Sequence, residues 1–174
     1  MILRGARVAL RPFREEELAV LVERGIAVAG SDTPEAHARL RAVVTESGDW
    51  DEHGFLRFAV ESDGRLVGDV QARRPPRALP PGVCELGINL FETADRGRGL
   101  GREAIALFVD HLFSDAEMGR VQLSTDVENA AMRRVATGVG FREEGVMRGF
   151  MPGEDGARAD YVLYGVTREE WLSR

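Results

Sequence analysis

Six residues, Arg96 to Gly101, combine residue types that could hold an anion. Gly97, Gly99 and Gly101 alternate with Arg96, Arg98 and Leu100. Glycine permits positive φ and lets a ligand come close to the main chain. The run that follows, Ala104 to Phe113, sets Ile105, Phe108, Val109 and Leu112 at the i, i+3, i+4, i+7 spacing of a buried helix face. The glycine turn therefore opens a helix, where unpaired N–H groups and the positive end of the dipole favour a phosphate. Arg96, Arg98 and Arg102 add positive charge. A glycine turn taken alone describes a flexible loop equally well. Two common phosphate motifs are excluded. The third glycine arrives one residue early for G-x-G-x-x-G, and a chain without lysine has no Gly-Lys-Ser/Thr.

Proton chemistry points first to Glu85. On the strand expected from Val83 to Phe91, Glu85, Gly87 and Asn89 share one face while Leu86, Ile88 and Leu90 share the other. A carboxylate on a central strand is expensive to bury without a partner or a task. Glu85 is thus either a general base or a structural carboxylate bonded to backbone or to an arginine. Asp126, at the end of a later strand, is a second base candidate or a helix cap. In the loop GDWDEHG, Asp49, Asp51 and Glu52 surround Trp50. Such a loop could draw in a cation and hold it on the indole face, or be a solvated acidic loop with Trp50 folded into the core. His37, His53 and His111 lack metal-ligand spacing, so no metal is expected. Cys84 has no basic neighbour and reads as a small buried hydrophobe. No nucleophile elbow supports a Ser-His-Asp set.

The elements that must position these residues follow from periodicity. Arg7 to Phe13 reads as a short strand, and Arg14 to Glu23 as a helix with Leu18, Leu21 and Val22 inward, stopped by Gly25. Thr33 and Pro34 start a second helix with Ala36, Leu40, Val43 and Val44 as its apolar positions. Leu56 to Glu61 and Leu66 to Gln71 form a hairpin around Asp63-Gly64. Arg73 to Gly82 holds four of the seven prolines and reads as an exposed linker within the domain. After the strand to Phe91 and the helix from Gly101 to Ser114 come a strand from Arg120 to Asp126 and a helix from Asn129 to Thr137. That helix has Met132, Val135 and Ala136 inward. Phe141 to Met151 and Asp160 to Thr167 are further strands, joined by the turn Pro152 to Arg158. Tyr161 and Tyr164, three apart, fall on opposite strand faces, one of them in the core. A strand–helix–strand unit beside antiparallel hairpins predicts a mixed α+β sheet.

Composition bounds the function. A chain of 174 residues is one domain, 1–174, with material for one good core. No apolar run approaches membrane-spanning length and no signal peptide is evident. The single cysteine fits a reducing cytoplasm. A net charge of −6 argues against broad nucleic-acid binding and suits cationic substrates. Arginine supplies all 23 basic side chains, which reads first as a compositional bias.

The run R-x-x-G-x-G from Arg96, between a strand and a helix, resembles the pyrophosphate-binding signature of the GNAT acetyltransferase superfamily. Asn129 followed by Gly140-Phe141 resembles the family's second motif, and the element order is similar across nearly the whole chain. R-x-x-L-R-P-F near the N-terminus, E-L-G at Glu85 and R-E-E-W at Arg168 look most like the branch of ribosomal-protein N-terminal acetyltransferases. The resemblance implies a single-domain α+β fold with a mostly antiparallel sheet flanked by helices. It implies acetyl-CoA as co-substrate, held by main chain near Leu90 and Phe91, by the turn Arg96, Gly97, Arg98, Gly99, Leu100 and Gly101, and by Asn129. The acceptor would be a primary amine, of a peptide or a small molecule, attacking directly, with Glu85 as base and Trp50 at the acceptor mouth. The protein would be cytoplasmic, a monomer or homodimer, without nucleic-acid or membrane partners. The sequence departs from the family where a thiolate acid usually stands: Met132 and Ala136 occupy those positions. That leaves open a non-catalytic acyl-CoA-binding regulatory module, and more remotely a dinucleotide-binding domain.

Overall fold

Alternation along the strands decides which helices pack where. The computed structural model describes residues 1–25, 33–75, 78–153 and 156–174, with side chains omitted at 35, 36, 39 and 40. An eight-stranded sheet runs in the order β1-β2-β3-β4-β5-β6-β8-β7. Its strands are β1 (Leu3–Arg4), β2 (Ala9–Arg11), β3 (Phe55–Ser62), β4 (Arg65–Arg73), β5 (Val83–Leu90), β6 (Arg120–Asp126), β7 (Arg142–Pro152) and β8 (Arg158–Thr167). Every pair is antiparallel except β5 with β6. The expected mixed, mostly antiparallel α+β sheet is what forms.

One face of the sheet carries α3 (Leu100–Leu112), which buries Leu100, Ala104, Ile105, Phe108, Val109 and Leu112. The spacing read from the sequence is its buried face, and Phe108 meets Phe58 of β3 edge-on at 5.8 Å. Ala59, next to Phe58, points the other way, to a second cluster with Leu21 of α1 (Leu18–Glu23) and Val43 and Val44 of α2 (Pro34–Thr45). α4 (Ala130–Val139) buries Ala136 and Val139 on the α3 side. Tyr164, not Tyr161, is the tyrosine in the core.

Several boundaries differ for local reasons. The strand expected over Arg7 to Phe13 spans only Ala9–Arg11, since Pro12 has no N–H to donate. Its partner β1, which pairs Leu3 with Leu10, was not expected. The helix expected from Arg14 opens as a 3-10 turn over Glu15–Glu17, and Gly25 ends it at φ +69° as expected. Asp63 and Gly64, at φ +51° and +73°, make the two-residue hairpin turn. α5 (Arg168–Leu172) was missed although Thr167 and Glu170 form a readable capping box. The inward positions expected at Ala36 and Leu40, and Pro76, Arg77, Glu154 and Asp155 of the two expected loops, lie outside the described residues.

A buried ion cluster ties the N-terminal strand to α1. Arg11 donates to both oxygens of Glu17, at 2.9 and 2.5 Å, and to Glu61 at 2.7 Å. Arg11 is 5% exposed and Glu17 8%. Burial pushes the Glu17 carboxyl up, but the Arg11 guanidinium and the Arg14 N–H outweigh it and hold it below the ordinary range. Arg11 holds the Glu61 carboxyl low as well. The cluster matters beyond stability, because α1 delivers Arg24 to the end of β5. There Arg24 pairs with Glu92 at 2.5 Å and lies 5.7 Å from the Phe91 ring centroid.

Removing one partner of a buried pair strands the other, so Glu17→Gln should lower the unfolding free energy by about 3 kcal/mol at pH 7. Both carboxyls sit below their unfolded values, so their stabilisation is complete above about pH 5 and is lost as pH falls through the folded values. Denaturant titrations should therefore show the gap between wild type and variant narrowing below about pH 4.

Candidate active site

The parallel pair β5–β6 holds only from Val83–Arg120 to Glu85–Gln122. Beyond that point β5 stays with β4, ending at Leu90 opposite Gly68, while β6 stays with β8, ending at Asp126 opposite Tyr161. The sheet opens between them. The N–H of Phe91 donates to Val67 on β4 at 3.0 Å. By strand alternation Leu90 and Ile88 turn their main-chain groups away from β4, into the opening. Backbone groups there need partners, and an extended polar chain laid along β5 would supply them.

The opening ends at the glycine turn. A 3-10 turn over Thr93–Asp95 follows β5, and Gly99 at φ +82° caps α3. Gly97 stands at φ +73° with open space where a Cβ would be. The first N–H groups of α3 face out of this turn without helical partners. A Cβ on Gly101 would meet only Leu90 and Ile88, at ordinary contact distance.

The arginines of the turn act mostly as struts, where the sequence suggested free positive charge. Arg98 donates to Asp95 at 3.2 Å and lies 3.9 Å from Asp63, and Arg65 reaches the same Asp95 oxygen at 3.0 Å. Asp95, 2% exposed, so anchors the turn to the β3–β4 hairpin. Arg96 donates to the carbonyl of Leu90 at 3.2 Å. Arg102 is exposed beside Gly138 and has no acidic partner among the described residues. Arg7, read in the sequence only as the start of R-x-x-L-R-P-F, donates to the Arg98 carbonyl at 2.7 Å and to Glu103 at 3.0 Å. Its guanidinium sits 2.8 Å from the place of a Gly99 Cβ. Burial pushes the Glu103 carboxyl up, yet the main-chain and side-chain donors of Arg7 leave it below the ordinary range.

On the face opposite α3, a cleft of about 370 Å³ borders the opening. Asp69 and Gln71 of β4 and Asn89, Leu90 and Phe91 at the end of β5 line it, with Arg96 from the turn. Asn89 donates to one oxygen of Asp69 at 3.0 Å. Asp69 was missed, though its alternation with Gln71 opposite Gly87 and Asn89 marks a polar stripe across two strands. Glu85 lies on the same face farther along β5, 3.0 Å from Arg73, and accepts from the Ser124 hydroxyl at 3.4 Å.

Asn129 caps α4, its side-chain oxygen accepting from the N–H of Met132 at 3.1 Å. It is exposed near the end of β6, on the far side of the opening. Asp126 caps the preceding turn through the Glu128 N–H at 2.8 Å. Trp50 is half-buried against the main core, with the Arg74 guanidinium 4.0 Å from its ring centroid. Its loop lies at the Phe55–Arg73–Glu85 end of the sheet. That is five strand residues, roughly 17 Å, from the Leu90 end, so the structure does not bring Trp50 to the glycine turn. Cys84 is buried, and burial pushes its thiol up to about 12. It is an inert core residue, as its sequence context suggested.

The comparisons with known proteins agree with this geometry. A family model for the acetyltransferase (GNAT) domain matches residues 7–142. Over 98 residues the chain is 30% identical to Probable N-acetyltransferase YjcK of Bacillus subtilis (strain 168), covering 56% of this chain and 53% of that one. The chain thus spans about half the length of this curated relative. Mycobacterium smegmatis RimJ, solved in complex with CoA-disulfide, is 25% identical with a TM-score of 0.71, covering 98% of this chain and 87% of that one. The ribosomal-protein-S5-alanine acetyltransferase from Vibrio fischeri has a TM-score of 0.74 over 98% of each chain, at 18% identity, a likeness of fold. The open sheet, the glycine turn at its end and the family match over most of the chain lead to one conclusion: the chain belongs to the GNAT acetyltransferase family.

Proposed function

We propose that the protein is an acetyl-CoA-dependent N-acetyltransferase acting on a primary amine, of a peptide N-terminus or a small molecule. The observation that carries this reading is the opening of β5 from β6 directly into the turn that starts α3. The chain's own residues fit the co-substrate. Main-chain groups of Ile88 and Leu90 would pair the pantetheine arm. The bare position at Gly97, with the first N–H groups of α3, would hold the pyrophosphate. Asn129 faces the arm from the β6 side. Acetyl-CoA supplies an acyl thioester, which a neutral amine attacks directly.

What remains for the protein is positioning, polarisation of the carbonyl by a strand N–H, and removal of a proton. The proton decides which acceptors are easy. At pH 7 an alkyl amine of pKa about 10.4 costs roughly 4–5 kcal/mol to deprotonate, and a peptide α-amine of pKa about 8 only about 1 kcal/mol. Glu85, water, or the other carboxylate on that sheet face could take it.

A second reading, a module that binds acyl-CoA without turnover, rests on the positions of the usual thiolate acid. Ala136 is fully buried and offers no group, and Met132 is aliphatic. A thiol of pKa about 8.5 leaves as thiolate at pH 7 for only about 2 kcal/mol, so the lack of an acid does not forbid turnover.

Glycine substitutions separate folding from binding. Gly99→Ala should lower stability by about 1–2 kcal/mol, since it forces positive φ on alanine and pushes Arg7 aside. Gly101→Ala, inside α3, should raise stability by up to about 1 kcal/mol. Gly97→Glu should shrink the rise in melting temperature that acetyl-CoA gives, because it puts a carboxylate into the open space beside the turn, where phosphate would approach. Melting curves with and without acetyl-CoA check both. An unchanged acetyl-CoA shift in Gly97→Glu takes this turn out of the site.

Thiol release from acetyl-CoA in the presence of peptide and small-amine panels decides between the two readings. Release that tracks one amine class is expected. A melting shift with acetyl-CoA but no release with any amine supports the binding module.

A further inference from the structure

Asp69 is the buried carboxylate that neither the family match nor the glycine turn explains. It is 1% exposed, and one oxygen is held by Asn89 at 3.0 Å. The other oxygen has no hydrogen-bond partner among the described residues. An unsatisfied carboxylate oxygen is among the most unfavourable groups to bury, so its presence asks for a donor that arrives from outside. The cleft it lines also contains Leu90 and Phe91, expected beside the pantetheine arm, and Arg96 of the turn. A donor reaching Asp69 would stand next to the acyl group.

We propose that Asp69 is the acceptor-binding and proton-accepting carboxylate of this enzyme, with Asn89 as its positioning residue, and that the acceptor enters as a cationic primary ammonium. This rests on the acetyltransferase reading above. The ammonium docks on the free oxygen of Asp69 and transfers one proton to it. The neutral nitrogen forms the C–N bond to the acetyl carbon as the C–S bond breaks. The second amine proton leaves with the sulfur as thiol, and Asp69 returns its proton to solvent. Nothing is oxidised or reduced.

The surroundings suit this task. Burial pushes the Asp69 carboxyl up, opposed by the Asn89 amide and the Arg57 charge, and it stays above the ordinary range. That narrows its gap to an amine and favours proton transfer in the right direction. The charged groups facing the cleft are Arg57 from β3, Arg24 from the end of α1 and Arg96 from the turn. Arg24 is committed to Glu92 and Arg96 to the Leu90 carbonyl. Glu85, four residues before Asn89, is not in the cleft lining and is bound to Arg73.

Two acceptor probes test the proposal on the whole chain: trialaninamide and 1,4-diaminobutane. Calorimetry should show at least one of them binding to the wild type, and Asp69→Asn should weaken that binding at least tenfold while acetyl-CoA affinity stays within twofold. For the amine that turns over, Asp69→Asn should lower kcat/KM at least 100-fold at pH 7, the loss shrinking as pH approaches the amine's own pKa. Asp69→Glu should recover part of it. If Asp69→Asn fails to fold, Asn89→Ala carries the test. Loss of its hydrogen bond should move the acid limb of the kcat/KM profile to higher pH. Absence of thiol release from wild type with either amine, alongside Asp69-dependent binding, counts against the acetyltransferase reading and leaves the ammonium site standing. Failure of both amines to bind wild type overturns the site. So does an Asp69→Asn variant with kcat/KM within threefold of wild type, or a pH-dependent loss found in Glu85→Gln in its place.

Discussion

Everything in this molecule depends on a pairing that stops. β5 and β6 share only three residue pairs before they part. A parallel pair in the middle of a sheet would ordinarily continue, because each unpaired N–H and C=O must find another partner. Here each strand keeps its outer neighbour, β4 or β8, so the opening does not unravel the sheet. The unmatched edge of β5 is rigid, extended and half-satisfied. It is a template for a chain that can hydrogen-bond like a strand, and acyl-CoA offers such an arm through its amides.

Holding that opening in register falls to arginine. Arg11 binds the N-terminal strand, α1 and β3 through Glu17 and Glu61. Arg65 and Arg98 converge on one buried oxygen of Asp95, and Arg7 spans from Glu103 to the Arg98 carbonyl. Each planar guanidinium joins elements far apart in sequence through directional bonds, which a lysine ammonium does less well. An arginine-only basic composition, which as sequence reads as a bias, is put to structural use. The consequence for the site is that fewer free cations face the turn than its sequence suggests. Anion binding there leans on main-chain N–H groups and the start of α3.

The two faces of the sheet divide the work. The α3 face is hydrophobic and carries the core, with Phe58 against Phe108 and Tyr164 buried beyond β6. The α1–α2 face is polar along β4 and β5, where Asp69, Gln71, Glu85 and Asn89 lie. A strand alternation of two thus gives β5 an open edge and a polar face at once, and the proposed cofactor and acceptor sites rest on these.

Local patterns were legible in the sequence because they arise within a few residues. The helix face of α3, the Asp63-Gly64 hairpin, the Gly25 stop and the strand–turn–helix around Arg96 to Gly101 all follow from periodicity and backbone preference. So do the mixed α+β class and the expectation that Ala136 faces inward. The partners of charged groups were not legible, because they are set by contacts between distant segments. Sequence could place Glu85 on a polar strand face but could not supply Arg73 as its partner. It offered Trp50 as an acceptor contact or a core residue but could not supply Arg74, which folding stacks on that ring. Arg7 and Asp69, 91 and 20 residues from the groups they serve, became visible only when the sheet brought them there. Register alone sets Asp69 opposite Asn89, and a shift of one residue would have turned its carboxylate into the core.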